Sequence, residues 1–383
     1  MRRVVAAALR PEPPGTAEAS SYNSKRASLP NRISYARVLR SPRMTSPDDY
    51  AALHESAATG TIAPRRQVAV AGPDRAAFLQ GLLTNDMASL TAGTGCYAAW
   101  LTPQGRMLCD VHVFESGDMM LLDVPAAGAQ QTAQRLEEFH FTENVEIATL
   151  ASLRAVWMHG PRAPAILDKL APRQGTHHKP GESGEAGGSY GAWMQYQNAR
   201  VELAGVPVVI GRVDQLAVPG FVIYADAQQE DEVTTSLASA GVLHATPATL
   251  EAARIEASYP VYGVDMTPDT IPLEAGIEDR ALSLTKGCYV GQEVIIRVLH
   301  RGHGRVARRL VRLQVEGDAP QKDAKVFSGD REVGFITSSA KSPRLGAIAL
   351  GYVHRDFVEP GTAVEIDLGE GRGLAHVTSP LTF

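Results

Sequence analysis

An α+β fold is what this sequence predicts: two successive units that mix strands and helices on antiparallel sheets, then a small all-β module. Three observations lead there. Period-two apolar runs bounded by turn residues occur in both halves, helical stretches follow them, and beyond about Arg308 only short alternating strands remain.

The first unit becomes regular at Gln67, where Val68 and Val70 alternate as a strand. Gly72-Pro73-Asp74 then opens a short helix carrying Phe78, Leu79 and Leu82 on one side, and Thr84-Asn85-Asp86 ends it. Residues 96–124 read as an antiparallel meander, turning at Pro103-Gln104-Gly105 and at Glu115-Ser116-Gly117-Asp118. Strand periodicity puts Met107, Cys109, Val111 and Val113 on one face and Leu108, Asp110, His112 and Phe114 on the other. Cys109 therefore reads as core. Asp110 is either a solvent-facing carboxylate or a half-buried one that must find donors in the protein or in a ligand. A helix over 126–139 closes the unit.

The second unit begins near Leu153 with a strand over 154–158 and a helix after Pro161. A loose stretch over 173–192 holds six glycines and the His177-His178 pair, with no cysteine or carboxylate cluster beside it to suggest a metal site. Extended runs over 206–213 and 221–225 precede a helix over 230–240. Thr246-Pro247 is a helix start, a capping hydroxyl followed by proline at the first helical position, and leads into a helix carrying Glu251, Arg254 and Glu256. Turn signals at Gly317-Asp318, Ser328-Gly329-Asp330 and Pro360-Gly361 divide the last module, a barrel or a sandwich. The expected segments are 1–44 as an extension, 45–152 and 153–245 as α+β domains, 246–305 as a returning segment, and 306–383 as the all-β module.

With 383 residues, 44% hydrophobic and 21% charged, the chain has ordinary globular values and room for two or three domains. No run approaches the roughly 18 apolar residues of a membrane helix. Residues 1–43 carry nine Lys or Arg against two Glu, so the net −5 splits into +7 there and −12 elsewhere. An acidic body argues against phosphate-backbone binding. The Arg- and Ser-rich extension reads either as a transit peptide or as the product of a start placed upstream of Met44. Three cysteines without CxxC spacing, one of them odd in any pairing, argue against a disulfide framework and cannot alone supply the four thiolates of an ordinary iron-sulfur cluster. Gly93–Ala98 and Gly302–Ala307 fit a relaxed GxGxxA pattern, but neither sits between a strand and a long helix. GxxxxGK[ST], HExxH and GxSxG are absent.

The segment Lys286-Gly287-Cys288-Tyr289-Val290-Gly291-Gln292-Glu293 is different in kind. A lysine near a cysteine stabilises its thiolate, and glycines let backbone or ligand come close. In an extended segment Lys286 and Cys288 share a face; in a helix they do not. The bland alternative is a buried cysteine in a tight turn. Downstream, Arg297, His300, His303, Arg305, Arg308 and Arg309 form a basic run, either a solvated face or a grip on an anionic ligand tail.

This octet resembles the signature of the YgfZ family, folate-binding proteins that support iron-sulfur enzymes and are relatives of the glycine-cleavage aminomethyltransferase. Every specified position of Lys-Gly-Cys-Tyr-x-Gly-Gln-Glu is matched. The likeness extends over about 45–383, through Phe78-Leu79-Gln80-Gly81, Thr84-Asn85-Asp86, Leu101-Thr102-Pro103-Gln104-Gly105-Arg106, Arg254-Ile255-Glu256, Gly334-Phe335-Ile336-Thr337-Ser338 and Ala349-Leu350-Gly351-Tyr352. It implies two related α+β domains and a C-terminal β-barrel around a central channel that holds tetrahydrofolate or a derivative. It also implies folate and client iron-sulfur enzymes or cluster carriers as partners, with no direct nucleic-acid or membrane binding. The compartment would be the cytoplasm, or the mitochondrial matrix if the extension is a transit peptide.

Carried over residue by residue, Cys288 would be the functional thiol and Lys286 the group that favours its thiolate. Gly287 and Gly291 would shape the turn, and Gln292 and Glu293 would hold it or a partner. Asp110, Asn85 and Tyr97 would meet the pterin, and Tyr289 and Arg254 complete the expected ligand contacts. Aminomethyltransferases carry two adjacent acids where this chain has Cys109-Asp110, and a Gly-Glu pair where it has Leu216-Ala217-Val218-Pro219-Gly220. Two other readings compete: a folate-dependent one-carbon transferase with Asp110 as acid-base group, and a non-catalytic folate sensor.

Overall fold

A computed structural model describes residues 46–173, 188–301 and 305–378. The extension, the His177-His178 pair and His303 lie outside the described residues.

The first sheet has strand order β3-β4-β5-β2-β6, all antiparallel. Its strands are β2 (Arg65–Ala71), β3 (Gly95–Leu101), β4 (Met107–Glu115), β5 (Met119–Pro125) and β6 (Glu146–Thr149). Alternation sends Val68, Val70, Val111 and Val113 to one face, where α2 (Arg75–Gln80) and α3 (Ala129–Glu138) cover them. Each such side chain withdrawn from water contributes about 1.5–3 kcal/mol. Cys109 lies in this core, as expected. Met107 does not share its face: the register shifts opposite Trp100 and Leu101, leaving Leu108 as the extra residue of a bulge. Met107 therefore turns to the other side, with Leu101, Ala99 and Tyr97.

The second sheet has order β11-β1-β7-β10-β9-β8. It comprises β1 (Ala58–Thr59), β7 (Leu153–His159), β8 (Asn198–Leu203), β9 (Val206–Arg212), β10 (Gly220–Asp226) and β11 (Leu243–His244). β1, reached after α1 (Pro47–Glu55), lies before the first sheet in the chain but pairs with β7 and, in parallel, with β11. Helices α4 (Ala163–Leu170) and α5 (Glu230–Ser239) cover the outer face. The inner faces of the two sheets meet through Ala69, Phe114, Leu121, Trp157, Val222 and Tyr224. Gly211 is required there, since a Cβ on it would stand 2.5 Å from Phe114 Cε1.

Helix α6 (Pro247–Glu256) starts as its sequence dictates, the Thr246 hydroxyl accepting from Thr249 N at 3.3 Å. After it come α7 (Pro272–Ala275), α8 (Glu278–Ala281) and α9 (Gln292–Arg301). This returning segment packs Met266, Leu273, Ile277 and Ile295 against the β3 half of the first sheet's inner face. Thus one half of that face meets the second sheet and the other half meets the returning segment. The C-terminal module is a closed barrel, ordered β12-β15-β14-β13-β16-β17. Its strands are β12 (Arg308–Val315), β13 (Lys325–Ser328), β14 (Arg331–Ser342), β15 (Gly346–His354), β16 (Ala363–Asp367) and β17 (Arg372–Thr378). It docks on α6 through Ile255, Ile348 and Leu350. Among the described residues no helix is long and apolar enough to cross a membrane.

Candidate functional site

Where the two sheets and the returning segment meet, the inner face of β4 presents Asp110 and His112, both buried. Buried charges must be paired, and here Arg65 of β2 does the pairing. Its Nη1 lies 3.1 Å from Asp110 Oδ2, and its Nε donates to Asp123 Oδ2 at 2.7 Å. The Tyr97 hydroxyl donates to Asp110 Oδ2 at 3.1 Å. Burial alone would raise the Asp123 carboxyl, but the Arg65 guanidinium and N–H groups of His112 and Gln67 hold it below the ordinary range. That carboxylate only accepts, so His112 Nδ1, 3.2 Å away, carries the proton. Nε2 of His112 must then accept, and it does so from the Tyr259 hydroxyl at 3.3 Å. Burial and the nearby Arg65 lower the His112 pKa, which keeps the ring neutral.

Aromatic surface frames these polar groups. Trp157 and Tyr196 each lie 6.0 Å from His112, ring centre to ring centre. The Arg280 guanidinium sits 5.0 Å over the Tyr97 ring and 4.4 Å over the Tyr259 ring. Asp110, Tyr97, Tyr196 and Tyr259 all act on it electrostatically. Arg280 and Tyr196 are only half-buried, so the cluster is open on their side.

The 286–293 segment lies beside this cluster, and it does something other than what its spacing suggests. Lys286 is buried and donates to the carbonyls of Gln80, Leu83 and Asn85 at 2.7, 2.6 and 2.8 Å. Burial pulls its ammonium down to about 8, opposed by Asp86 and Cys96. Its ammonium also lies 5.1 Å over the Tyr289 ring. The expected partnership of Lys286 with a Cys288 thiolate is therefore corrected: the lysine pins the loop to the end of α2. Cys288 itself is exposed, so the buried-cysteine alternative fails too. Gly291 has φ +85°, and a Cβ there would meet the Thr102 carbonyl at 2.5 Å. Gln292 Nε2 reaches the Gly287 carbonyl at 3.5 Å, within the loop, while Gly287 and Glu293 are exposed. Tyr289 is buried, and among the described residues its hydroxyl has no hydrogen-bond partner.

Other expected ligand contacts are engaged elsewhere. Asn85 donates to the carbonyls of Tyr97 and Arg280 at 2.8 and 3.0 Å, joining β3 to α8. Arg254 is a correction. All five of its N–H groups are taken, by Glu251, the Tyr259 carbonyl, Asp265 at 2.6 Å and Ser338, so it clamps α6 to the barrel and has no donor for a ligand. In the basic run, Arg308 pairs with Glu274 and lies over Tyr352, and Arg309 pairs with Glu278. Sequence reading missed Arg65, Asp123, Tyr259 and Arg280. His112 carried a visible signal, a second polar residue on the face of Asp110. The others become neighbours only in three dimensions.

Residues 19–286 match the family model described as GCVT N-terminal domain, and residues 308–383 match the glycine cleavage T-protein C-terminal barrel domain. The chain belongs to this glycine cleavage T-protein family. An aminomethyltransferase from Moorella thermoacetica is 29% identical over 310 residues, covering 79% of this chain and 80% of that protein. One from Bacillus subtilis is 26% identical over 328 residues, covering 84% and 86%. The crystal structure of glycine cleavage system aminomethyltransferase T from Bartonella henselae superposes with a TM-score of 0.74 at 22% identity, covering 87% of this chain and 88% of that one, a likeness of fold.

Proposed function

We propose that this chain binds tetrahydrofolate or a derivative in the central cluster and works as a one-carbon transferase of the aminomethyltransferase type. The observation that carries the reading is the pairing of a donor and an acceptor, Arg280 and Asp110, inside a frame of Tyr97, Tyr196, Trp157 and Tyr259. The pyrimidine ring of a reduced pterin is flat with donor and acceptor edges, and it fits such a frame. Bound tetrahydrofolate would supply the nitrogens that carry a one-carbon unit. The protein's part is to orient it. Arg65 and Tyr97 fix the Asp110 carboxylate, leaving lone pairs for ligand N–H groups, and the aromatic rings keep water away. Calorimetric titration with tetrahydrofolate tests binding, and formation of methylenetetrahydrofolate from an aminomethyl donor tests transfer. Binding that Asp110→Asn leaves unchanged would contradict the assignment.

One observation favours a second reading: Cys288 is exposed on a loop pinned by a buried lysine, in an octet matching the YgfZ signature. On that reading the protein supports assembly or repair of iron-sulfur clusters in client enzymes, with folate bound and Cys288 as the working thiol. A folded Cys288→Ala variant that sustains normal iron-sulfur enzyme activity in cells would refute it.

A further inference from the structure

We propose that Arg280 is the specificity-determining residue of the central site, recognising an electron-rich acceptor, a carbonyl or carboxylate, on the bound ligand. This rests on the reading that the ligand occupies the cluster around Asp110. Among the described residues no hydrogen-bond acceptor holds the Arg280 guanidinium, although its own backbone carbonyl is engaged by Asn85. The large arginines nearby are treated differently. Arg65 binds two aspartates and Arg254 spends every donor within the protein. Arg280 is instead flanked by two tyrosine rings, Tyr97 at 5.0 Å and Tyr259 at 4.4 Å, which steady the cation by their faces and leave its N–H edges free.

Its stage is rigid from behind. Tyr259 is fixed through its hydroxyl, which donates to His112 and lies 3.5 Å from Gln215 Nε2, and His112 is oriented by Asp123. Tyr97 is fixed by Asp110. The neighbouring Tyr196 has φ 64°, a left-handed backbone that a bulky residue rarely adopts, and its half-buried ring lies on the open side with Arg280. A half-buried cation with rigid walls, a free donor edge and an opening to solvent is built to receive an acceptor.

Two parts of a folate could provide that acceptor, the pterin carbonyl or the glutamate carboxylate. Titration of the full chain and of Arg280→Met and Arg280→Lys with tetrahydrofolate and with tetrahydropterin, which lacks the glutamate, separates them. Methionine keeps the apolar stem, and thermal melting without ligand checks each fold. Arg280→Met should bind tetrahydrofolate about ten- to a hundredfold more weakly, with lysine recovering part of the loss. A loss shared by tetrahydropterin assigns the pterin edge; one confined to tetrahydrofolate assigns the carboxylate. Equal affinity of folded Arg280→Met and the natural chain overturns this inference and the donor half of the pairing, while tetrahydrofolate binding that depends on Asp110 would leave the functional reading standing. Failure of the natural chain to bind either compound overturns the functional reading and this inference with it.

Discussion

Lys286→Met separates a structural lysine from one that activates a thiol. Methionine preserves most of the stem but offers no donor to the carbonyls of Gln80, Leu83 and Asn85, which now receive an ammonium at 2.7, 2.6 and 2.8 Å. A hydrogen bond from a charged donor contributes about 1.5–3 kcal/mol net. The lowered ammonium pKa shows that desolvation offsets these bonds, so the cost of the substitution comes from the acceptors it strands, and the Leu83 carbonyl has a buried setting in which water cannot easily replace the donor. We expect a net loss of about 3 kcal/mol, measured by urea unfolding of the full chain at neutral pH. The alkylation rate of Cys288 should rise or hold as the loop loosens, because the ammonium is spent on three backbone carbonyls. A loss under about 1 kcal/mol, together with a thiol that reacts much more slowly, would show that the ammonium serves Cys288 after all.

Three further outcomes follow from the same geometry. His159 is fully buried, and burial depresses it from 6.5 to about 4, so its contribution is present above pH 6.5 and is lost as the pH falls towards 4. The loss approaches about 3 kcal/mol, and chemical unfolding across that range should show His159→Asn losing correspondingly less. Arg254→Met strands Asp265 and should cost about 3–5 kcal/mol, read by calorimetry as an earlier transition of the barrel-docked body. With a thiol-exchange reagent one cysteine should react fast and Cys288→Ala should abolish that phase, since burial pushes both Cys96 and Cys109 up to about 12.

The elements were legible where a periodicity or a cap fixed them. The Val68 and Val70 strand, the meander, the Thr246-Pro247 start and the barrel turns all carry local signals that the packed protein has no reason to override. The bulge at Leu108 was not legible, because one extra residue changes no composition and reverses a face. The site divided the same way. Tyr97 and Asp110 lie together in the central cluster, while Arg254 clamps the barrel and Lys286 anchors a loop. The Glu251–Arg254 pair follows a helical spacing rule, but the Ser338 hydroxyl that ties Arg254 to the barrel and the Gln80, Leu83 and Asn85 carbonyls that hold Lys286 come from distant segments, which no spacing rule reports. Arg280 escaped notice because four residues of helix among acids, Glu278 and Asp279, look like ordinary surface.

Strand β1 has a consequence for how the chain is made. Residues 58–59 leave the ribosome long before the antiparallel partner at 158–159 and the parallel neighbour at 243–244, so the earliest piece of the second layer must wait about a hundred residues of synthesis for its first partner and nearly two hundred for its second. The first layer can form in the meantime, the second cannot. A gene fragment starting at residue 61 would therefore deliver β7 with a bare rim, open to pairing with other nascent chains. Splitting this protein into separately expressed halves should succeed only if residues 46–60 travel with the second half.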